Sequence, residues 1–407
     1  MNDRIYPRNW LLFIEATCLV FFMMTGLAAS QVNSSIDRRV QETLDAILEP
    51  YLERYDLPAL GAAVVKNGVI VAAGAVGTRK AGDKIPVTLN DRFHLGSDTK
   101  AMTALLAAIF LEEGKLSWES TVGNLFPELK DKMNPKMRGM TLEQLLSHTS
   151  GMPSDNKRFG ELLLESFLQD GNLDDLRYWL VSQWIKEPLA NEPGKVFAYS
   201  NMGYTMVGAI LERIGGKSWE ELVTERIFVP LELRSAGFGP QATLGKIDAP
   251  LGHQIREGML IPMLAGPNGD NPLIIGPAGT VHMSVLDFAA WAGWNAGEGK
   301  RGPNLARPAT LKKLQTPVIA LPIKKGAKPG TPSKGKYGLG WGQMNVKWSI
   351  EPFIFHGGSN EMNLAHILLQ PKHDLAIVAV TNVGGEKADK ALKALEEILY
   401  LKFGPSK

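Results

Sequence analysis

Gly61-Ala62-Ala63-Val64-Val65 and Val69-Ile70-Val71-Ala72-Ala73 are two β-rich runs that are joined through the dipeptide Asn67-Gly68. Asn-Gly favours the tight two-residue turn of a β-hairpin, because this turn requires positive φ angles. The stretch therefore predicts a pair of antiparallel strands near the start of the chain.

Further strands are predicted near the other end of the chain, at residues 353–355, 364–369 and 375–380, and a helix is predicted at 386–401. Apolar residues at helical spacing also predict an opening helix over residues 36–55. The sequence between the two ends has mainly helical patterns that Pro and Gly interrupt, at 102–113, 142–147, 206–214 and 285–294. The simplest arrangement is a sheet built from both ends of the chain, with a helical region inserted between them.

The chain has 407 residues, which is more than a single hydrophobic core usually holds, so we expect two subdomains that share a cleft. The predicted sheet domain comprises residues 36–95 and 335–403, and the mainly helical domain comprises 96–334. Lys and Arg number 44 against 42 Asp and Glu, and the basic residues are scattered. This pattern excludes a nucleic-acid footprint and favours a small-molecule or peptide partner.

Residues 1–30 differ from the rest of the chain, because Arg4 and Arg8 precede an apolar run over 10–29 that ends in small residues. The pattern predicts a secretory signal peptide and a secreted or periplasmic protein. The alternatives are an uncleaved membrane anchor through residues 10–29, a cytosolic helix, or lipidation of Cys18. Cys18 is the only cysteine, so disulfides and cysteine catalysis are excluded.

Residues 322–336 are rich in Pro, Gly and Lys and predict an exposed, mobile loop. Its five lysines could attract an anionic surface, but a solvated loop is the simpler interpretation.

The pattern Ser-x-x-Lys occurs three times, at Ser97/Lys100, Ser154/Lys157 and Ser333/Lys336. Only Ser97 opens a nearly all-apolar helical stretch, which we expect to be buried. Positions i and i+3 share a helix face, so Lys100 can reach the Ser97 hydroxyl. Burial disfavours the ammonium form and lets the amine accept a proton. The structural alternative is that Ser97 caps the helix and Lys100 is solvated.

Tyr199-x-Asn201 occurs once in the chain. A tyrosine beside a lysine ammonium can have its phenol pKa lowered and serve as a general base, and an Asn amide can hold a substrate carbonyl. The alternative for Tyr199 is a core residue.

His356-Gly357-Gly358-Ser359 follows a predicted strand. Glycines allow a ligand to approach the backbone closely, so the Ser359 amide could pair with the Ser97 amide as an oxyanion hole. The alternative is a strand end with a hydrogen-bonded histidine.

The order and separation of Ser97-x-x-Lys100, Tyr199-x-Asn201 and His356-x-Gly358 resemble the serine β-lactamase and penicillin-binding-protein superfamily, on its class C side. Residues 145–153 and 337–341 also look like family patterns. The resemblance covers residues 40–400 approximately and implies an α+β fold of the β-lactamase/transpeptidase type. This fold has an antiparallel sheet flanked by helices and an inserted all-helical domain.

The resemblance also implies a function. Ser97 would form an acyl-enzyme, Lys100 and Tyr199 would relay the proton, and Asn201 would bind the substrate amide. His356, Gly357, Gly358 and Ser359 would line the substrate site, with no metal or cofactor. His148, in the Ser-His-Thr-Ser-Gly stretch, is interpreted as structural.

The third motif differs from the Lys-Thr-Gly of class C β-lactamases. His356 stands at the position of the lysine, which is a permanent cation there. Histidine is largely neutral near pH 7, which weakens the case for binding a β-lactam carboxylate. The sequence therefore predicts an exported serine hydrolase of esters, amides or D-amino-acid peptides. A true β-lactamase, a penicillin-binding DD-carboxypeptidase and a non-catalytic scaffold with the same fold are the alternatives.

Overall fold

The computed structural model of the protein describes residues 35–266, 269–323, 326 and 328–405. The predicted signal peptide, its alternative as an anchor and Cys18 lie outside these residues. None of the helices within them is both long and apolar enough to cross a membrane.

The strands of the described residues are β1 Glu42–Thr43, β2 Ala59–Lys66, β3 Val69–Gly77, β4 Arg92–His94, β5 Gly237–Phe238, β6 Gly252–Arg256, β7 Met259–Met263, β8 Val281–Ser284, β9 Ile319–Ala320, β10 Lys336–Tyr337, β11 Gly342–Met344, β12 Phe353–Ser359, β13 Leu364–Gln370 and β14 Leu375–Thr381. The helices are α1 Asp45–Tyr55, α2 Thr99–Glu112, α3 Val122–Leu125, α4 Pro135–Arg138, α5 Leu142–Leu146, α6 Lys157–Ser166, α7 Leu173–Trp184, α8 Asn201–Gly215, α9 Trp219–Val223, α10 Gly276–Gly279, α11 Val285–Ala296, α12 Pro308–Gln315 and α13 Glu386–Phe403.

The central sheet has the strand order β1-β3-β2-β14-β13-β12-β11-β10-β9. Its neighbouring strands are antiparallel, except that β1 runs parallel to β3. The predicted hairpin is confirmed as β2 and β3, and Asn67 and Gly68 at its turn have φ angles of 52° and 76°. The three strands and the helix predicted near the other end are confirmed as β12, β13, β14 and α13.

The opening helix is shorter than the sequence predicts, because it begins at Asp45 rather than at residue 36. The preceding backbone pairs with β3 instead: Asp37 bridges to Val69, and the Leu44 N–H donates to the Ala73 carbonyl at 3.0 Å. Pairing with the exposed edge of β3 overrides the helical spacing of the side chains.

Helices cover both faces of the sheet, and side chains alternate between the two faces along each strand. Ala62 and Val64 of β2 pack in the cluster formed with α1 and α13. Ala63 and Val65 pack in the larger cluster, which contains α2 and α11. These contacts fix the sheet against α2, which begins directly after the turn that holds the candidate nucleophile.

The region between the two sheet segments is mainly helical, and it also contains the small sheet β4-β8-β5 and the hairpin β6-β7. The division of the chain into two domains stays a prediction. For the site, the important element is α2, whose residues from Thr99 to Phe110 are all buried. A fully buried helix holds its first turn in a fixed position.

Candidate active site

Ser97 lies in a short 3-10 turn, Gly96–Asp98, between β4 and α2. Gly96 has a φ of 51°, and a Cβ atom there would lie 2.3 Å from the Ser359 amide nitrogen. Only glycine fits this close approach. The turn therefore holds partly buried Ser97 at the start of α2 and against the end of β12.

Lys100 is completely buried, and its Nζ atom contacts three oxygen atoms. It lies 3.0 Å from Ser97 Oγ, 2.7 Å from Asn201 Oδ1 and 2.6 Å from the Ala278 carbonyl oxygen. Burial lowers the pKa of Lys100 to about 7, and the charges of Asp155 and Asp98 act in the opposite direction. A substantial fraction of Lys100 is thus neutral near pH 7.

The three contacts determine what a neutral Lys100 can do. An uncharged amine has two N–H donors and one lone pair, and Asn201 Oδ1 and the Ala278 carbonyl can only accept hydrogen bonds. If both N–H groups donate to these oxygens, the lone pair faces the Ser97 hydroxyl. This arrangement can remove the proton of a nucleophilic serine.

The other two Ser-x-x-Lys sequences have different surroundings. The side chain of Lys157 is 92% exposed, and Lys336 is also exposed. Neither lysine is desolvated, so neither has the physical reason for a lowered pKa that Lys100 has.

Tyr199 lies two residues before the first residue of α8, with its ring against Lys100. Lys100 Nζ is 4.7 Å from the ring centroid, and the buried phenol hydroxyl has no hydrogen-bond partner among the described residues. Burial raises the pKa of Tyr199, against a smaller opposing effect of the Ser97 hydroxyl. The expectation of a lowered phenol pKa is therefore wrong, because desolvation outweighs the effect of the Ser97 hydroxyl, and the charges of Asp155 and Asp98 raise the pKa further. Tyr199 is a neutral proton donor in the free protein.

Asn201 is the first residue of α8 and joins Lys100 to Asp155. Asn201 Nδ2 donates to Asp155 Oδ2 at 2.5 Å, and the Asn201 backbone N–H donates to Asp155 Oδ1 at 3.2 Å. Sequence reasoning missed Asp155. The only available signal was its place in the Pro/Asp/Asn turn that follows the Ser-His-Thr-Ser-Gly stretch.

Gly358 lies directly beside the Ser97 turn. A Cβ atom at Gly358 would lie 1.8 Å from the Leu95 carbonyl oxygen and 2.6 Å from the Ser97 amide nitrogen. Together with the approach of Gly96 to Ser359, this contact brings the Ser97 and Ser359 amides to the same edge of β12. Two backbone N–H groups in such a position can form an oxyanion hole.

Gly357 faces away from the Ser97 turn. A Cβ atom on Gly357 would lie 3.1 Å from Gly330 Cα, so Gly330, in the loop of residues 328–336, packs against this part of β12. Gly357 thus provides space for the loop.

His356 is buried, and both ring nitrogens make contacts within the protein. Nδ1 lies 2.8 Å from the Gly357 carbonyl oxygen, and Nε2 lies 3.0 Å from the Tyr337 hydroxyl. A carbonyl accepts, so Nδ1 carries the proton and Nε2 accepts from Tyr337. Burial, assisted by the charge of Lys100, lowers the pKa of His356 to about 3. His356 is therefore neutral and provides no cation for a substrate carboxylate.

Asp98, which sequence reasoning also missed, is buried next to Ser97. Its carboxyl oxygens have no hydrogen-bond partner among the described residues, and His356 Nδ1 is 3.5 Å from Oδ1. Burial raises the pKa of Asp98 well above its ordinary value.

His148 lies on the far side of the Tyr199 ring, with ring centroids 4.3 Å apart. Its Nδ1 accepts the Ser200 backbone N–H at 3.1 Å. Burial lowers the pKa of His148 well below its ordinary value, so the ring is neutral. These contacts agree with the structural interpretation of this residue.

The comparisons with known proteins agree with the geometry of the site. Residues 44–401 match the sequence model of the Beta-lactamase family. The chain is 25% identical over 357 residues to Protein flp of Staphylococcus aureus strain MW2, over 87% of this chain and 66% of that protein. The chain thus spans slightly less than two thirds of that relative.

Two solved structures show the same fold. The octameric penicillin-binding protein homologue from Pyrococcus abyssi superimposes with a TM-score of 0.70 at 23% identity, over 86% of this chain and 76% of that chain. The D-amino acid amidase from Ochrobactrum anthropi SV3, complexed with L-phenylalanine amide, superimposes with a TM-score of 0.69 at 18% identity, over 89% and 98%.

The predicted α+β fold of the β-lactamase/transpeptidase type is confirmed by these matches. The match to the family model extends over most of the chain and includes the Ser97, Tyr199 and His356 motifs. It supports a serine hydrolase, and the chain belongs to the Beta-lactamase family.

Proposed function

We propose that the chain is an exported serine hydrolase that cleaves an ester, amide or D-amino-acid peptide bond through an acyl-Ser97 intermediate. The observation that carries the proposal is the environment of Lys100. This lysine is completely buried, has a pKa of about 7 because of that burial, and lies 3.0 Å from Ser97 Oγ.

Acylation begins when the neutral Lys100 amine takes the Ser97 hydroxyl proton. Ser97 Oγ then attacks the substrate carbonyl carbon, and the carbonyl π electrons move to its oxygen. The Ser97 and Ser359 amide N–H groups stabilise the resulting oxyanion. The developing Lys100 ammonium donates to Ser97 Oγ, Asn201 Oδ1 and the Ala278 carbonyl.

The leaving group needs a proton when the tetrahedral intermediate collapses. Tyr199 supplies it, because its hydroxyl is protonated and has no partner among the described residues. The Lys100 ammonium then returns a proton to the phenolate, so the serine proton has in effect reached the leaving group. Deacylation repeats these steps with water as nucleophile and Ser97 as leaving group.

Two of the similar structures support the substrate classes. One is called a penicillin-binding protein homologue and the other a D-amino acid amidase. Both names are consistent with attack on an amide carbonyl. The neutral His356 favours an esterase, amidase or peptidase over a β-lactamase, since a fixed cation for a β-lactam carboxylate is missing from the His356 position.

Labelling with a fluorophosphonate probe tests the nucleophile. We expect the wild-type protein to be labelled and to hydrolyse p-nitrophenyl acetate, and we expect Ser97→Ala to lose both properties. Ser154→Ala is the matched control, because Ser154 belongs to the same sequence pattern but is exposed. Equal labelling of Ser97→Ala and the wild type would sink the proposal.

Incubation with benzylpenicillin, followed over time by intact mass, distinguishes the subtypes. We expect unchanged penicillin and no adduct, which is the result for an esterase or peptidase. A lasting adduct that requires Ser97 would indicate a penicillin-binding peptidase, and consumption without an adduct would indicate a β-lactamase.

The export part of the proposal rests on the apolar run of residues 10–29 after Arg4 and Arg8. Expression with the native N-terminus in a bacterial host, followed by cell fractionation and N-terminal sequencing, tests it. We expect a soluble periplasmic protein that has lost about the first thirty residues. Membrane-bound protein of full mass would favour the anchor instead.

A further inference from the structure

We propose that Asp270 is a positioning residue for the oxyanion hole. It connects the turn that carries the Ser97 amide with the segment that follows the Ser359 amide, and so keeps the two donors in place. The inference rests on the proposed function, because it concerns the same oxyanion. It goes beyond that function by giving a role to a residue outside the sequence motifs.

Asp270 lies shortly before α10, and its side chain is only 3% exposed. The polar contacts of its carboxylate among the described residues all involve Oδ1. His94 Nε2 lies 2.8 Å from this oxygen, and Asn360 Nδ2 and the Asn271 backbone N–H donate to it at 2.9 and 2.6 Å. Burying a carboxylate is costly unless polar groups compensate it. Asp270 thus brings β4 and the end of β12 together at one charged atom.

The first connection leads through His94 to the Ser97 turn. His94 is the last residue of β4 and is completely buried. Its Nδ1 accepts the Gly96 backbone N–H at 3.0 Å, so the ring proton is on Nε2, which faces Asp270. Gly96 has a φ of 51°, and glycine has little conformational preference of its own. The His94 ring therefore orients the backbone directly before Ser97.

The second connection leads through Asn360 to the Ser359 amide. β12 ends at Ser359, and Asn360 is the next residue. Asn360 Nδ2 donates to Asp270, and Asn360 Oδ1 accepts from Asn363 Nδ2 at 3.0 Å. The buried Asn360 amide is thus held at both ends, and it anchors the backbone where the strand ends.

The two connected segments touch each other at the proposed oxyanion hole. A Cβ atom at Gly96 would lie 2.3 Å from the Ser359 amide nitrogen. A small shift of either segment therefore changes the distance of an amide from the oxyanion. Oxyanion stabilisation requires donors that are already in place, and a misplacement of about 1 Å can cost about a hundredfold in rate. A carboxylate suits this role, because hydrogen bonds to a charged acceptor are stronger than neutral ones.

The test compares p-nitrophenyl acetate with its thionoester, in which sulfur replaces the carbonyl oxygen. Sulfur is a weaker hydrogen-bond acceptor than oxygen, so donors placed for an oxyanion stabilise the thionoester's transition state poorly. The ratio of the two kcat/KM values, ester over thionoester, therefore measures the oxyanion hole. A smaller amount of folded enzyme lowers both values equally and leaves this ratio unchanged.

We expect Asp270→Ala to lower the ratio by about tenfold to hundredfold. Asp270→Asn keeps an oxygen that can accept from Asn360, so its ratio should stay within about threefold of the wild type. Asp91→Ala is the matched control. Asp91 is 2% exposed and pairs with Arg79 at the end of β4 that is away from Gly96. Its ratio should equal that of the wild type.

A wild-type ratio in folded Asp270→Ala would overturn the inference, and so would an equal fall in Asp91→Ala. If Asp270→Ala does not fold, Asn360→Ala decides, because it removes only the second connection. We expect a lower ratio in Asn360→Ala, and a wild-type ratio there would also overturn the inference.

The same measurements separate this inference from the proposed function. If the variants keep the wild-type ratio while hydrolysis still requires Ser97, only the positioning role fails and the proposed function remains. If the wild type hydrolyses neither ester and Ser97 is not labelled by the fluorophosphonate, both proposals fail.

Discussion

Asp155 determines which end of the Asn201 side-chain amide faces Lys100. A carboxylate only accepts hydrogen bonds, so Asn201 Nδ2 turns toward Asp155 at 2.5 Å. Asn201 Oδ1 then faces Lys100 Nζ at 2.7 Å. The carboxylate thereby provides Lys100 with an oriented acceptor, and the lysine lone pair is left for Ser97.

Lys100→Ala should slow the acylation of Ser97 by about a hundredfold to ten-thousandfold, because the general base is lost. Single-turnover reaction with p-nitrophenyl acetate measures the acylation rate. Lys157→Ala, at the exposed copy of the motif, should acylate at the wild-type rate. Acylation of Lys100→Ala at the wild-type rate would exclude Lys100 as the base.

The acylation rate with p-nitrophenyl acetate should rise between about pH 6 and 8, with a midpoint near the Lys100 pKa of about 7. The sign follows from the role of Lys100, since only the neutral amine accepts the Ser97 proton and this form predominates above the pKa. The ester has no titrating group, and the pKa of His356, about 3, lies outside this range. A flat profile would contradict the mechanism.

Removing the charge of Asp155 should move this midpoint to lower pH. The Asp155 carboxylate raises the Lys100 pKa, so Asp155→Asn lets Lys100 lose its proton more easily. Single-turnover acylation by p-nitrophenyl acetate, measured over the same pH range, gives the shift of the midpoint. Asp170→Asn is the control, because Asp170 is an exposed residue between α6 and α7. An unchanged midpoint would show that Asp155 has no electrostatic effect on Lys100.

Gly358→Ala should reduce kcat/KM for ester hydrolysis on the order of a hundredfold or more, because the new Cβ would push β12 away from the Ser97 turn. Gly160→Ala is the control. A Cβ atom at Gly160 meets no atom within 4 Å, and the substitution should stabilise α6 by about 0.5–1 kcal/mol. Wild-type kinetics in Gly358→Ala would contradict the proposed oxyanion hole.

Arg177→Met should lower the free energy of unfolding by about 3–5 kcal/mol. Arg177 of α7 is completely buried and pairs with Glu212 of α8 and Glu220 of α9. Without Arg177, Glu212 loses its buried cationic partner, and burial already raises the pKa of Glu212 to about 7.

The control for Arg177 is Arg213→Met. Arg213 pairs with Glu128, and both side chains are about two-fifths exposed, so the expected change is within about 1 kcal/mol. Urea unfolding followed by circular dichroism measures both variants. Similar losses for the two would contradict the distinction between buried and exposed ion pairs.

Local sequence patterns predicted much of the fold, because their physical causes are local. Asn67-Gly68 requires positive φ angles, and the apolar strands alternate between two covered faces of the sheet. The first half of the opening helix could not be predicted correctly. Its backbone pairs with β3, and such a long-range partner leaves no trace in the spacing of apolar residues.

The motifs also predicted which residues come together at the site, including Ser97, Lys100 and Asn201. The sequence did not reveal Asp155, because its role depends on a loop that returns to the start of α8. The sign of the Tyr199 pKa shift was predicted wrongly, because only the folded environment shows how strongly the phenol is desolvated.

The pairing of β2 with β14 has a consequence for how the chain acquires activity. The Thr381 hydroxyl donates to the Ala59 carbonyl, 322 residues earlier, and β12 must reach the Ser97 turn from the far part of the chain. Contacts between such distant residues slow folding. If the Ser97 and Ser359 amides form the proposed oxyanion hole, a ribosome-bound chain that has not yet reached β12 lacks the second amide, and we expect it to be inactive throughout most of its synthesis.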